Sequence, residues 1–91
     1  GESSAVVRER VVHARNIALN RQGKANSELT PSEIDTHIPL GMAEKQFLAA
    51  AQSRLNLSAR SYHRVLRVAR TIADLAGAKS VGTAHLAEAL S

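Results

Sequence analysis

Aromatic and sulfur-containing residues are scarce in this 91-residue sequence, which has no cysteine, no tryptophan, one tyrosine and one phenylalanine. Without cysteine the chain can form neither a disulfide nor a thiolate metal site, which is compatible with the reducing cytoplasm in which we expect it. Aromatic residues make up 2% of the chain and hydrophobic residues 44%, so the core must be built from leucine, isoleucine, valine and alanine. Alanine-rich faces let helices approach closely, and the composition therefore favours one all-α domain over a sheet.

Long apolar runs are also missing, and no stretch approaches the roughly 20 residues that a membrane-spanning helix needs. The opening GESS at 1–4 is not a signal peptide, because no charged region precedes an apolar one. The chain starts abruptly at Gly1 and stops at Ser91 with little helix-ending punctuation. We therefore expect residues 1–91 to form a single helical domain of a longer protein, with no membrane partner.

Catalytic motifs are missing as well. The sequence has no G-x-x-x-x-G-K-[ST] loop to hold phosphates and no G-x-S-x-G nucleophile elbow. The histidines do not pair at the spacing of metal ligands, and no cysteine or nearby carboxylate completes a site; they are His13, His37, His63 and His85. We therefore predict no catalytic residue, no metal ligand and no cofactor held by this chain alone.

Apolar residues recur at helical spacing in four stretches of the sequence. The predicted helices cover 4–22, 42–55, 58–76 and a last short segment capped by Thr83. Between the first two, the motif TPSE at 30–33 has the capping-box pattern of a helix start and predicts a short extra turn over 31–35. The predicted fold class is all-α, a compact bundle of about four helices.

The predicted helices have apolar faces that we expect to be buried. In the helix over 58–76 this face consists of Tyr62, Val65, Leu66, Ala69, Ile72, Ala73 and Ala76. The other predicted core residues are Val6, Val7, Val11, Ala14, Ile17, Ala18, Ile34, Ile38, Phe47, Leu48, Ala51, Leu55, Leu86, Ala87 and Leu90. Ser3 or Ser4 and Ser58 are expected to cap the first and third long helices, and Gly23 and Gly77 to end them.

Basic residues outnumber acidic ones by twelve to eight, and arginines gather on the polar face of the helix over 58–76. Arg60, Arg64 and Arg67 lie within a narrow arc of that face. Arg70 lies at its edge, and Asp74 offers the one opposite charge there. Like charges three and four residues apart repel, so the cluster is best tolerated beside an anion or an acidic partner.

Arg60 falls in the first turn of its helix if Ser58 is the cap. Free backbone N–H groups and the helix dipole add there to its own charge, and a guanidinium can grip phosphate oxygens with two bonds. One alternative is a solvated face whose arginine stems cover apolar surface. Another is a basic module that binds the DNA backbone directly, without sequence specificity. A third is a purely structural domain that docks on neighbouring subunits through Val12 and Leu19, which lie off the main apolar stripe.

Three stretches of the sequence resemble one family. They are the run LSARSYHRVLRVARTIADLAG at 57–77, the ending HLAEAL at 85–90 and the opening VRxRVxxAR at 7–15. Together they resemble the C-terminal domain of magnesium-chelatase-like AAA+ ATPases of the ComM competence type, over nearly the whole chain and most loosely over 24–41. The resemblance implies a helical lid that follows a P-loop core. It also implies a hexameric parent ATPase that acts in branch migration of DNA.

The resemblance also implies roles for particular residues. Ser58-Ala59-Arg60 resembles the sensor-2 motif of AAA+ lids, so Arg60 is expected to contact ATP phosphates, with Arg64 and Arg67 as secondary candidates. The sequence departs from the parent proteins in lacking Walker motifs, so ATP and Mg are expected only in a full-length parent. The expected partners are an upstream AAA+ core of the same polypeptide, further copies in a homo-hexamer, and DNA.

Overall fold

A computed structural model describes residues 3–91, so Gly1 and Glu2, which begin the predicted domain, lie outside the described residues. The described part of the chain contains five α-helices, a short 3₁₀ helix and no strand. The elements are α1 (Ser4–Gln22), the 3₁₀ helix (Asn26–Glu28), α2 (Pro31–His37), α3 (Met42–Leu55), α4 (Ala59–Leu75) and α5 (Thr83–Leu90). The all-α prediction is confirmed. There are five helices and not about four, because the turn expected over 31–35 continues to His37 as α2.

Four of the predicted helix ends lie where the sequence placed them. The hydroxyls of Ser3 and Ser58 cap α1 and α4, each accepting a hydrogen bond from a backbone N–H three residues further on. Gly23 and Gly77 follow α1 and α4 with φ of 78° and 71°, in the left-handed region that a side chain disfavours. These local signals are therefore sufficient to bound the two longest helices.

The start of α5 differs from the prediction by one residue. Gly82 is the N-cap, and Thr83 is already the first helical residue. The Gly82 N–H donates to Nδ1 of His85 over 2.9 Å, so an imidazole from the first turn reaches back to the cap. This back-bond takes the place of the hydroxyl cap expected from Thr83, and it gives His85 a structural role.

Helix α4 is the centre of the bundle, because it packs against α1, the 3₁₀ helix, α2 and α5, while α3 packs against α5. The buried core cluster consists of Leu29, Ile34, Ile38, Leu48, Val65, Leu66, Ala69, Ala73, Val81 and Leu86. Leu86 and Ala69 are fully buried where α5 crosses α4. The core is aliphatic as predicted, and Phe47 and Tyr62 contribute only from its half-buried edge.

The N-terminal half of α1 has no helix packed on it among residues 3–91. Ala14 and Ala18 are buried against the bundle, whereas Val6, Val7 and Val11, predicted to be buried with them, are 44%, 42% and 53% exposed. The apolar stripe is thus longer than the surface that the other helices offer. None of the helices in this part of the chain, α1 included, has the length and apolarity to span a membrane.

Three other burial predictions are wrong for simple geometric reasons. Leu55 is 50% exposed as the last residue of α3. Ala76 and Ala87 are exposed as well, the first at the C-cap of α4 and the second one residue past buried Leu86 in α5. Val12 and Leu19 are exposed, so docking through them stays a prediction.

Candidate functional site

The expected polar face of α4 is only partly a solvent-facing surface. Arg70 and Asp74, predicted to lie on it, are 3% and 2% exposed. Nε and Nη2 of Arg70 donate to Oδ1 of Asp74 over 3.1 and 2.9 Å. The prediction of one continuous arginine face is therefore wrong at this end of the helix, where opposite charges four residues apart pair and turn inward.

Arg70 also closes the turn that follows α4. Its Nη2 donates to the carbonyl of Ala78 over 2.9 Å, and its Nη1 donates to the carbonyl of Lys79 over 3.1 Å. Carbonyl groups just past a helix end lack helical partners, and a buried guanidinium can satisfy two of them at once. Arg70 thus has a structural role in holding the chain between α4 and α5.

Asp74 joins two helices through a second arginine. Nη1 and Nη2 of Arg21, at the end of α1, donate to Oδ1 and Oδ2 of Asp74 over 2.9 and 3.0 Å. Asn26, 6% exposed in the 3₁₀ helix, donates to Oδ2 of Asp74 over 2.9 Å and accepts from Arg21 over 3.0 Å. Neither Arg21 nor Asn26 is predicted from the sequence, although the single acid on the arginine-rich face of α4 is a signal that could have indicated an internal partner.

This network holds the pKa of the Asp74 carboxyl below its ordinary value. Burial alone raises the pKa, but hydrogen bonds from Arg21 and Asn26 and the charge of Arg70 lower it by more. Bonds from the Thr30 backbone N–H and from the Lys24 ammonium lower the pKa of Glu33 to about 2. The ionised form of both carboxyl groups is therefore stabilised more in the folded state than in the unfolded state.

Acid is expected to destabilise the fold through these two groups. A lowered folded-state pKa contributes stability that is fully present above the ordinary pKa values, 3.8 for Asp74 and 4.5 for Glu33, and is lost as the pH falls below those values through the folded-state pKa. Urea unfolding followed by circular dichroism should give a free energy of unfolding that falls steeply below about pH 5. The Glu33→Gln variant should show a shallower fall. An identical fall in variant and parent chain would contradict the assignment to Glu33.

Arg67 lies between the buried and exposed parts of α4. Its Nη1 donates to the carbonyl of Leu29 over 3.2 Å, and the side chain is half-buried. That bond ties α4 to the segment before α2 and uses part of the guanidinium. Arg67 is therefore less available to a ligand than its position on the arginine arc predicts.

Arg60 and Arg64 remain as exposed cations on adjacent turns of α4. Neither makes a hydrogen bond or an ion pair with any residue in 3–91. His63 is half-buried, and its ring and that of Tyr62 are in an edge-to-face arrangement with centroids 5.6 Å apart. The structure brings Arg60 and Arg64 together and separates them from Arg70.

The first turn of α4 has no acidic residue to balance Arg60. The Ser58 hydroxyl accepts from the Ser61 N–H over 3.1 Å, and the Ser58 carbonyl accepts from the Tyr62 N–H over 2.8 Å. The N–H groups of Ala59 and Arg60 are thereby left without a capping bond. Their partial positive charge, the helix dipole and the guanidinium together make this turn attractive to an anion.

A model of the family described as magnesium chelatase, subunit ChlI C-terminal, matches residues 1–91, the whole length of the chain. The chain belongs to this family. Competence protein ComM of Haemophilus influenzae is 48% identical over 90 residues, which is 99% of this chain and 18% of that protein. Members named YifB in Salmonella typhimurium and Escherichia coli, described as uncharacterized, are each 41% identical over 91 residues, all of this chain and 18% of theirs. The chain thus spans about a fifth of the length of the relatives it matches.

Membership of the magnesium chelatase C-terminal family confirms the resemblance carried by the motifs at 7–15, 57–77 and 85–90. It covers the segment over 24–41 as well, where the sequence resemblance is loose. That segment supplies Asn26 to the Asp74 network and Leu29 to the core. The roles expected of Arg60, Arg64 and Arg67 toward a ligand stay predictions.

Proposed function

We propose that this chain is the helical lid of an AAA+ ATPase and that Arg60 contacts the phosphates of ATP bound by a core domain of the same polypeptide. The parent protein would hold ATP and Mg in that core, assemble as a homo-hexamer and remodel DNA. The relative named as a competence protein is in line with a parent that handles DNA. The chain itself supplies the arginine and carries out no catalysis alone.

The observation that carries this proposal is the free guanidinium at the start of α4. Arg60 is exposed, it has no partner in residues 3–91, and it follows a capped helix start with no neighbouring acid. A cation at the positive end of a helix is unfavourable by itself, by about 0.3–1 kcal/mol, and a bound phosphate reverses that sign. Arg64 lies one turn further along and would be a secondary contact.

Replacing Arg60 by alanine in the full-length protein tests the proposal. We expect kcat/KM for ATP to fall about ten- to hundredfold, because a hydrogen bond to a charged group contributes about 1.5–3 kcal/mol. The matched control is Arg54→Ala, which removes an equally exposed arginine from the last turn of α3. ATP hydrolysis and ATP affinity that are unchanged in the Arg60 variant would exclude the contact.

Direct binding of the DNA backbone is a second candidate, favoured by the two free arginines and the net charge of +4. Because Arg67 and Arg70 bond inward, the basic surface of α4 is smaller than the sequence suggests. Titrating the 91-residue chain with duplex DNA at two salt concentrations distinguishes the candidates. Binding that weakens steeply with salt would favour this function, and no binding at low salt would exclude it.

A further inference from the structure

The outward face of α4 carries apolar side chains, although its inward face buries charged ones. Val68 and Leu75 are 39% and 43% exposed, while Arg70 and Asp74 on the same helix are almost completely buried. A helix with one side exposed to solvent usually shows the opposite distribution, with apolar side chains inward and charged side chains outward. Both residues flank the buried side of α4, and no other helix in residues 3–91 covers them completely.

A row of three adjoining concave regions, here called the groove, follows this face. Three concave regions of about 330, 320 and 300 Å³ lie along α4, in order from its start to its end. The first two share Arg64 and Val68, and the last two share Ser27 and Thr71. The groove therefore runs from Ser61 to Leu75, a length of about 20 Å at 1.5 Å per helical residue.

The charge along the groove has one sign. Its lining residues include Arg15, Arg64 and Arg67, and no aspartate or glutamate of the described chain lies among them. Apolar contacts along its length come from Val11 of α1 and from the α4 residues named above. A segment that complements this surface has an apolar stripe flanked by carboxylates.

We propose that the groove binds an acidic amphipathic helix of about 14 residues that belongs to the same longer polypeptide. Apolar residues of an amphipathic helix recur about every seven residues, which is the spacing of Val68 and Leu75 on α4. A helix that fills a groove about 20 Å long needs about four turns. The matched relatives are about five times as long as this chain, so a tethered segment is present at high effective concentration. The inference rests on the part of the proposed function that makes this chain one domain of a larger protein, and it does not involve Arg60. Arg64 lines the groove and is also the proposed secondary ATP contact, so the test is made without nucleotide.

The absence of cysteine allows a direct test. A Val68→Cys variant is prepared in the 91-residue chain and in the full-length protein, with any cysteine outside residues 1–91 replaced by serine. Labelling by a maleimide, without nucleotide, should be at least about tenfold slower in the full-length protein, which corresponds to about 1.4 kcal/mol of docking. The matched control is Ala50→Cys, exposed on α3 and outside the groove, which should label equally fast in both.

Each outcome of the labelling decides the proposal. Equal rates at Val68→Cys in the two proteins would overturn it, and protection of the short chain that grows with its concentration would assign the groove to a second copy instead. Adding Arg64→Glu should abolish the protection, whereas Arg54→Glu, on exposed α3 surface, should leave it intact. Protection that survives Arg64→Glu would contradict an acidic occupant. If Val68→Cys is protected in the full-length protein as expected, while Arg60→Ala hydrolyses ATP at the normal rate, only the ATP contact is overturned.

Discussion

Replacing Asp74 by asparagine is expected to lower the free energy of unfolding by about 3–5 kcal/mol, the usual effect of removing one partner from a buried ion pair. The substitution keeps the size of the side chain but removes the charge that Arg70 and Arg21 share. Arg70 would then be a buried cation without a counter-charge. For a small domain with a total stability of about 5–15 kcal/mol, the loss is a large fraction.

Urea unfolding of the 91-residue chain, followed by circular dichroism, measures this effect. Asp35→Asn is the matched control, because Asp35 is exposed on α2 and makes no hydrogen bond or ion pair with residues 3–91. It should change the free energy of unfolding by less than about 0.5 kcal/mol. Should Asp74→Asn be unfolded in buffer, an excluded osmolyte such as trimethylamine N-oxide restores a measurable transition. A loss at Asp74 no larger than that at Asp35 would show that the network contributes little.

The second large effect is expected in the core. Leu48→Ala should destabilise the chain by about 2–5 kcal/mol, since Leu48 is 1% exposed and its removal leaves a cavity between α3 and the rest of the core. Leu55→Ala makes the same chemical change in the same helix, where the side chain is 50% exposed. It should cost less than about 0.5 kcal/mol.

The comparison between these two leucines checks where α3 packs. Both substitutions are to the best helix former, so helix propensity does not separate them. Thermal unfolding of the two variants beside the parent chain gives the ratio of their effects. Equal effects would mean that Leu55 is buried in solution, and would contradict its 50% exposure at the end of α3.

Helix positions in this protein follow from local rules, and this is why the sequence predicts them well. The serine hydroxyls at Ser3 and Ser58 and the left-handed glycines at Gly23 and Gly77 act within three or four residues of their own position. Such interactions do not depend on which surfaces meet later. The capping box at 30–33 is present for the same reason, and it starts α2.

Burial depends on partners and is predicted less well. Helical periodicity places Arg70 and Asp74 on a polar face, but it carries no information about Arg21, which is 53 residues away from Asp74 in the chain. With that partner the charges are buried, while Val68 and Leu75 lie outside the buried side of α4. Helical periodicity of apolar and polar residues identifies the faces of a helix. It does not show whether the charged side chains of a polar face pair with an opposite charge in the interior.

The candidate site divides in the same way. The position of Arg60 in a capped first turn follows from sequence alone, because it needs only Ser58 and helical geometry. Its exposure and its lack of a partner in residues 3–91 require the fold. Arg67 could not be separated from Arg64 by spacing, since the carbonyl of Leu29 that engages Arg67 comes from a segment without helical periodicity.

The clamp between Arg21 and Asp74 has a mechanical consequence. It fastens the end of α1 to the end of α4, while the first half of α1 stands clear of the other helices. With 19 residues, α1 is about 28 Å long. Because α4 also packs on the 3₁₀ helix, α2 and α5, this one contact couples α1 to the whole bundle. Ser4, at the opposite end of α1, is the part of that helix farthest from the clamp.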